Sequence, residues 1–157
     1  MRFTLIKDLK QDSMMKPILS GLIIFTLLYL ISDIFVKSSS FGIFEEMIKT
    51  TLFGNEAEFL DPITTSAFLE FWHMEIFFIM MILLTLSAVF IRLSGAKGFN
   101  IIIVNAVMIS ALISLVALLL SFFLNAAFVQ LYILSFFSWH VCAIYMSLYS
   151  LVRLYYD

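Results

Sequence analysis

Four long apolar runs, almost free of charge, dominate the sequence and limit what it can become. A run of about 20 apolar residues is what a helix needs to cross the hydrocarbon core of a bilayer. Lipid offers no water to backbone N–H and C=O groups, so a spanning segment is a helix or part of a closed barrel. Barrel strands alternate apolar and polar residues. The runs here are unbroken, which selects helices. Composition agrees: 63% of the 157 residues are hydrophobic and 13% are charged. An average soluble domain carries about 25% charge. The expected fold is all-α: an integral membrane four-helix transmembrane bundle, forming a single transmembrane domain over residues 1–157.

The spans are expected at roughly 17–36, 71–91, 101–124 and 128–152. Pro17 suits the first position of a helix, where a missing N–H costs nothing, and Lys37 closes the first span. A polar outer loop follows over 38–61. Within it Phe41, Phe44, Met47, Ile48 and Leu52 gather on one helical face, so 41–53 reads as an interfacial amphipathic helix stopped by Gly54. Asp61-Pro62 reads as an N-cap and first turn, with the helix running unbroken to Arg92. Asn125-Ala126-Ala127 is the only break before the fourth span, which makes the last two spans antiparallel neighbours. Residues 1–16 carry Phe3, Ile6 and Leu9 at helical spacing and read as a short amphipathic segment on the membrane surface. The first apolar run is too long for the core of a cleavable signal peptide.

Basic residues set the expected orientation. Under four spans, seven of the nine Lys and Arg residues fall on one side, and only Lys37 and Lys49 on the other. By the positive-inside rule both termini are cytoplasmic. The outer loop carries Glu45, Glu46, Glu56, Glu58 and Asp61, with Glu70 close by, so the outer face is acidic and attracts cations.

Lipid tails are as apolar as leucine, so spans associate through small residues and a few hydrogen bonds. The third span offers Ala106, Ser110, Ser114, Ala117 and Ser121 on one face. The fourth offers His140, Ala143, Ser147 and Ser150, with Ser135, Ser138 and Cys142 on a second stripe.

Polar groups in the spans are few: Asp33, Glu70, His73, Glu75, Asn105, Gln130, His140 and Cys142. Such groups are costly in lipid and therefore candidates for function. His73, with Glu70 on nearly the same face, is expected in a wet collar at the outer interface. His140 sits near mid-membrane and needs a partner: Asn105, a serine, a backbone carbonyl or a cofactor. Two histidines in a membrane bundle raise ligation of haem b, although the helical rise puts His73 and His140 about 9 Å apart in depth. Asp33, Glu75, Asn105 and His140 are the residues a proton or cation path would use. No nucleophile elbow, phosphate loop or zinc motif is present. One cysteine excludes an internal disulfide, and nothing points to nucleic acid.

Size and architecture resemble small bacterial inner-membrane proteins and small anchor or assembly subunits of respiratory complexes. The small-residue faces and the absence of a complete catalytic constellation make the expected role a non-catalytic accessory or structural subunit in the bacterial inner membrane, working with other membrane subunits or as a homo-oligomer. A haem-binding redox or anchor subunit and a cation or proton pathway are the alternatives.

Overall fold

The computed structural model describes residues 14–95 and 97–156. The amphipathic reading of residues 1–16 thus falls almost wholly outside the described residues. The elements are α1 (Met15–Ser40), α2 (Glu45–Phe53), a 3-10 turn (Glu56–Glu58), α3 (Thr65–Ser94), α4 (Gly98–Phe123) and α5 (Phe128–Tyr155). Four of the helices, α1, α3, α4 and α5, are long and apolar enough to cross a membrane. The molecule has a loop end, where residues 41–64 and the α4–α5 turn lie, and a turn end carrying the α3–α4 connection.

Two boundaries differ from expectation, each for a local reason. The third helix begins at Thr65 rather than at Pro62. The Ile63 amide donates to the Thr51 carbonyl at 3.0 Å, which holds the Asp61-Pro62 stretch against α2 instead of letting it coil. Thr64 then caps the helix, its hydroxyl accepting from the Ala67 amide at 3.3 Å. At the other boundary α1 runs to Ser40, so Lys37 lies inside the helix and does not close it. The Gly42 amide donates to the Lys37 carbonyl at 2.7 Å, and Gly42 takes φ +91°, a conformation open to glycine.

The expected loop helix exists as α2, but it does more than float on lipid. Ile48 and Leu52 are fully buried and join the main core, with Leu30 of α1, Phe68 of α3 and Val129 of α5. Phe44, Met47 and Phe53 stay exposed. The helix therefore roofs the bundle with one face and offers apolar groups outward with the other.

The spans pack along stripes spaced by three and four residues. In α1 the buried positions are Leu19, Ser20, Ile23, Thr26, Leu30, Asp33 and Lys37. The matching stripe of α5 runs through Tyr132, Phe136, His140, Ala143, Ser147, Ser150 and Leu154. Small residues let the helices close as expected: Ser114, Ala117 and Ser121 of α4 are buried, whereas Ala106 is exposed and Ser110 half-buried. Asn125 shapes the α4–α5 turn by accepting from the Ala127 amide at 2.8 Å. The Trp72 indole ties α3 to α4 by donating to the Leu115 carbonyl at 2.9 Å. A second cluster of Leu19, Ile23, Leu93 and Leu154 closes the turn end, where the Tyr155 hydroxyl donates to Ser20 at 3.2 Å.

Candidate functional site

On α1, Asp33 and Lys37 are one helical turn apart and so share a face. That face is the buried stripe, and it carries both charges into the bundle. Lys37 Nζ pairs with Glu75 Oε2 of α3 and lies 3.4 Å from Asp33 Oδ2. Asp33 Oδ2 lies 3.1 Å from His140 Nε2 of α5. Four ionisable side chains from three helices thus form one chain, Glu75–Lys37–Asp33–His140. All are enclosed, with exposures of 9% for Glu75 and Asp33, 3% for Lys37 and 1% for His140.

The packing explains their common depth. Glu75 is ten residues into α3 and His140 twelve into α5, which at 1.5 Å per residue is about 15 and 18 Å. Lys37 is close to the end of α1, but α1 stops short of the loop end. Phe41 stacks on Phe71 at 4.9 Å, and Phe41, Ile48, Leu52 and Phe68 belong to one buried cluster. Below, His140 lies against aromatic rings, 3.7 Å from Trp139 and 4.1 Å from Phe136 between centroids. Outside the roof, a hollow of about 590 Å³ at the loop end is lined by Ser38, Ser39 and Ser40, directly after Lys37.

Hydrogen-bond geometry counts the protons. His140 Nδ1 faces the Phe136 carbonyl at 3.0 Å. A carbonyl only accepts, so Nδ1 carries a hydrogen. Nε2 faces a carboxylate oxygen, which as an anion also only accepts. With Asp33 ionised, a hydrogen bond at Nε2 would take a second ring proton, shared with Oδ2. With it, two carboxylates are balanced by one ammonium and one shared proton, and the cluster is neutral. Neutrality matters here because an uncompensated charge out of water costs several kcal/mol.

The other expected site residues lie elsewhere. His73 is two residues before Glu75, projects from another face of α3 and is exposed, as is Glu70. The two histidines do not share a site, and both ring nitrogens of His140, the atoms a haem iron would take, are engaged. Asn105 is exposed on α4, and Cys142 is half-buried. Among the described residues no group of three or more His, Cys, Asp or Glu side chains is arranged to hold a metal ion. Gln130 joins a separate surface group, donating to Glu45 Oε2 at 3.0 Å, while Lys49 pairs with Glu45 Oε1. These bonds, that from Lys49 first, hold the Glu45 carboxyl below its ordinary range.

Sequence reasoning selected Asp33, Glu75 and His140 but assigned Lys37 to the water outside. The signal was present: Leu19, Ile23, Thr26, Leu30, Asp33 and Lys37 recur at alternating steps of four and three, so the charged pair continues the buried seam.

These features define an all-helical, multi-pass membrane protein with an enclosed charge cluster. Residues 42–157 match the model of the Aq_1264_TM family, described as a transmembrane helical domain, and the chain belongs to that family. The match begins after α1, so it includes Glu75 and His140 but not Asp33 and Lys37. No curated protein and no solved structure matches the chain.

Proposed function

We propose that the protein is a proton-handling component of the membrane, with the Glu75–Lys37–Asp33–His140 chain as its working part. The observation that carries this reading is the position of His140 between the Phe136 carbonyl and the Asp33 carboxylate, deep in the bundle, where a proton could be shared with Asp33. Chains of Asp, Glu and His inside membranes serve as proton relays. The test is proton uptake by liposomes containing the purified protein and a pH-sensitive dye, under a potassium diffusion potential. Flux above that of empty liposomes, lost in His140→Ala and Asp33→Asn but kept in His73→Asn, supports the proposal. Flux equal to empty liposomes, or unchanged by the first two variants, rejects it.

A second reading, a non-catalytic accessory or structural subunit, rests on the same cluster seen as a fastener. It joins α1 to α3 and α5, and its enclosure suits a part that holds shape. Co-purification with a stable larger assembly from its native membrane supports this role; a monodisperse protein that alone conducts protons counts against it. For the setting we propose a bacterial inner membrane with both termini in the cytoplasm. Lys37 is neutralised by carboxylates and drops out of the loop-end charge tally, leaving Lys49 against Lys16, Arg92, Lys97 and Arg153 at the turn end among the described residues. A cysteine placed at Glu56 should then react with an impermeant maleimide from the periplasmic side only.

A further inference from the structure

We infer that α4 carries a homodimer interface, in which Asn105 pairs with Asn105 of a second copy of this chain inside the bilayer. Asn105 lies seven residues beyond Gly98, the first residue of α4, which is about 10 Å of helix. Ile101, Ile102, Ile103 and Val104 precede it. Its side chain is exposed, so in a membrane it faces hydrocarbon. Thr85 and Ser110 satisfy their hydroxyls within their own helices, each donating to a carbonyl one turn back at 2.6 and 2.7 Å. The Asn105 carboxamide makes no such bond among the described residues. It brings two N–H donors and a carbonyl acceptor, and leaving these in an apolar medium costs free energy.

The face around Asn105 is built as a seam. Ile102, Asn105, Ile109, Leu112 and Val116 recur at alternating steps of three and four residues, the spacing at which parallel helices interlock their side chains. The four apolar members are 50–64% exposed. Beside the seam, an apolar cleft of about 160 Å³ between α3 and α4 has Met108 and Leu112 on its wall, and a branched side chain of the second copy can seat there. Two features select a second copy as the occupant. Copies of one chain enter a membrane in the same orientation. Their α4 helices therefore run parallel about a twofold axis along the membrane normal, and Asn105 meets Asn105 at equal depth. The carboxamide is also self-complementary: across that axis each donates an N–H to the other's carbonyl oxygen. A single Asn in such a seam fixes register and partner number. Helix α4 contributes no residue to the Glu75–Lys37–Asp33–His140 chain, so this inference stands apart from proton handling.

The experiment uses the full chain with Cys142→Ala, reconstituted in phosphatidylcholine liposomes. Ile109→Cys and Val141→Cys are oxidised separately with copper phenanthroline. Val141 is exposed on α5 and sits at nearly the same depth, 13 residues from the loop end of its helix against 14 for Ile109. Ile109→Cys is expected to give disulfide-linked dimers, and Val141→Cys to stay monomeric. In a second measurement, copies carrying donor or acceptor dyes at Glu56→Cys are diluted with lipid and energy transfer is followed. Asn105→Leu is expected to need about 3–30-fold more protein per lipid for half-maximal transfer. Asn105→Gln keeps the carboxamide and is expected to restore transfer toward that of the parent. Equal cross-linking at the two cysteines, or equal transfer for Asn105→Leu and the parent, overturns the inference. Absence of transfer at every protein-to-lipid ratio also overturns it and gives the face to a different subunit.

Discussion

Replacing Lys37 by methionine keeps the length of the side chain and removes its charge. Glu75 and Asp33 are then left inside the bundle without their ammonium. The Lys37 and Glu75 side chains are 4% and 11% exposed, so solvent does little to relieve the loss. Removing one partner of a buried ion pair costs about 3–5 kcal/mol, which is more than a hundredfold in the folding equilibrium, at about 1.4 kcal/mol per factor of ten. Hydrogen bonds between membrane helices average only about 0.6 kcal/mol, so a loss of that larger size identifies an uncompensated charge and not a missing hydrogen bond. Lys37→Met/Glu75→Leu removes the pair together and leaves Asp33 with its proton to His140. Exchanging a buried pair for apolar side chains is often neutral, so the double variant should fall within about 1 kcal/mol of wild type. The assay is SDS-driven unfolding from mild detergent micelles, followed by the fluorescence of Trp72 and Trp139. The reasoning fails if Lys37→Met costs less than about 1 kcal/mol, or if the double variant loses the sum of the two single changes.

Further outcomes follow from other parts of the structure. Gly42→Ala should destabilise by about 1–3 kcal/mol, because its φ is +91° and its Cβ would fall 2.5 Å from that of Met47; Gly21→Ala, with nothing within 4 Å, should be neutral in the same unfolding assay. Trp72→Phe removes the bond to the Leu115 carbonyl and should cost about 0.5–1.5 kcal/mol, read as a lower unfolding midpoint. The Glu45 carboxyl is held below its ordinary value of 4.5 by Lys49 and then Gln130. Its contribution is thus complete above that value and disappears as pH falls through the lower folded value. Amide exchange in α2 should accelerate, relative to the same segment of Glu45→Gln, as pH is lowered through the acid range. An oxidised-minus-reduced absorption spectrum of protein from haem-replete cells should be flat, since both ring nitrogens of His140 are engaged; a Soret shift lost in His140→Ala would refute that assignment.

Hydropathy carried the architecture well, because the absence of water in lipid leaves the backbone few choices. The span count, the short Asn125 turn and the small faces of α4 and α5 were legible for that reason. The site was only partly legible. Asp33, Glu75 and His140 stand out as ionisable groups in apolar runs, but their assembly depends on where α1 ends. Counting from the sequence put Lys37 at a water interface; in the bundle it is instead an interior residue, held by Asp33, Glu75 and the Phe136 ring. Asn105 has equal chemical credentials but projects from the wrong face of α4. A helix face is set to within a few tens of degrees by which residues find neighbours, and that is a property of the packed bundle.

The central claim is the proton shared by His140 and Asp33, and nitrogen NMR reads it directly. His73→Asn leaves His140 as the single histidine, so ¹⁵N-histidine labelling of that variant in lipid bilayers reports one ring. At neutral pH both ring nitrogens should show protonated signals, and Asp33→Asn should return Nε2 to the signal of a lone pair. A His140 ring with one unprotonated nitrogen while Asp33 is intact would contradict the account.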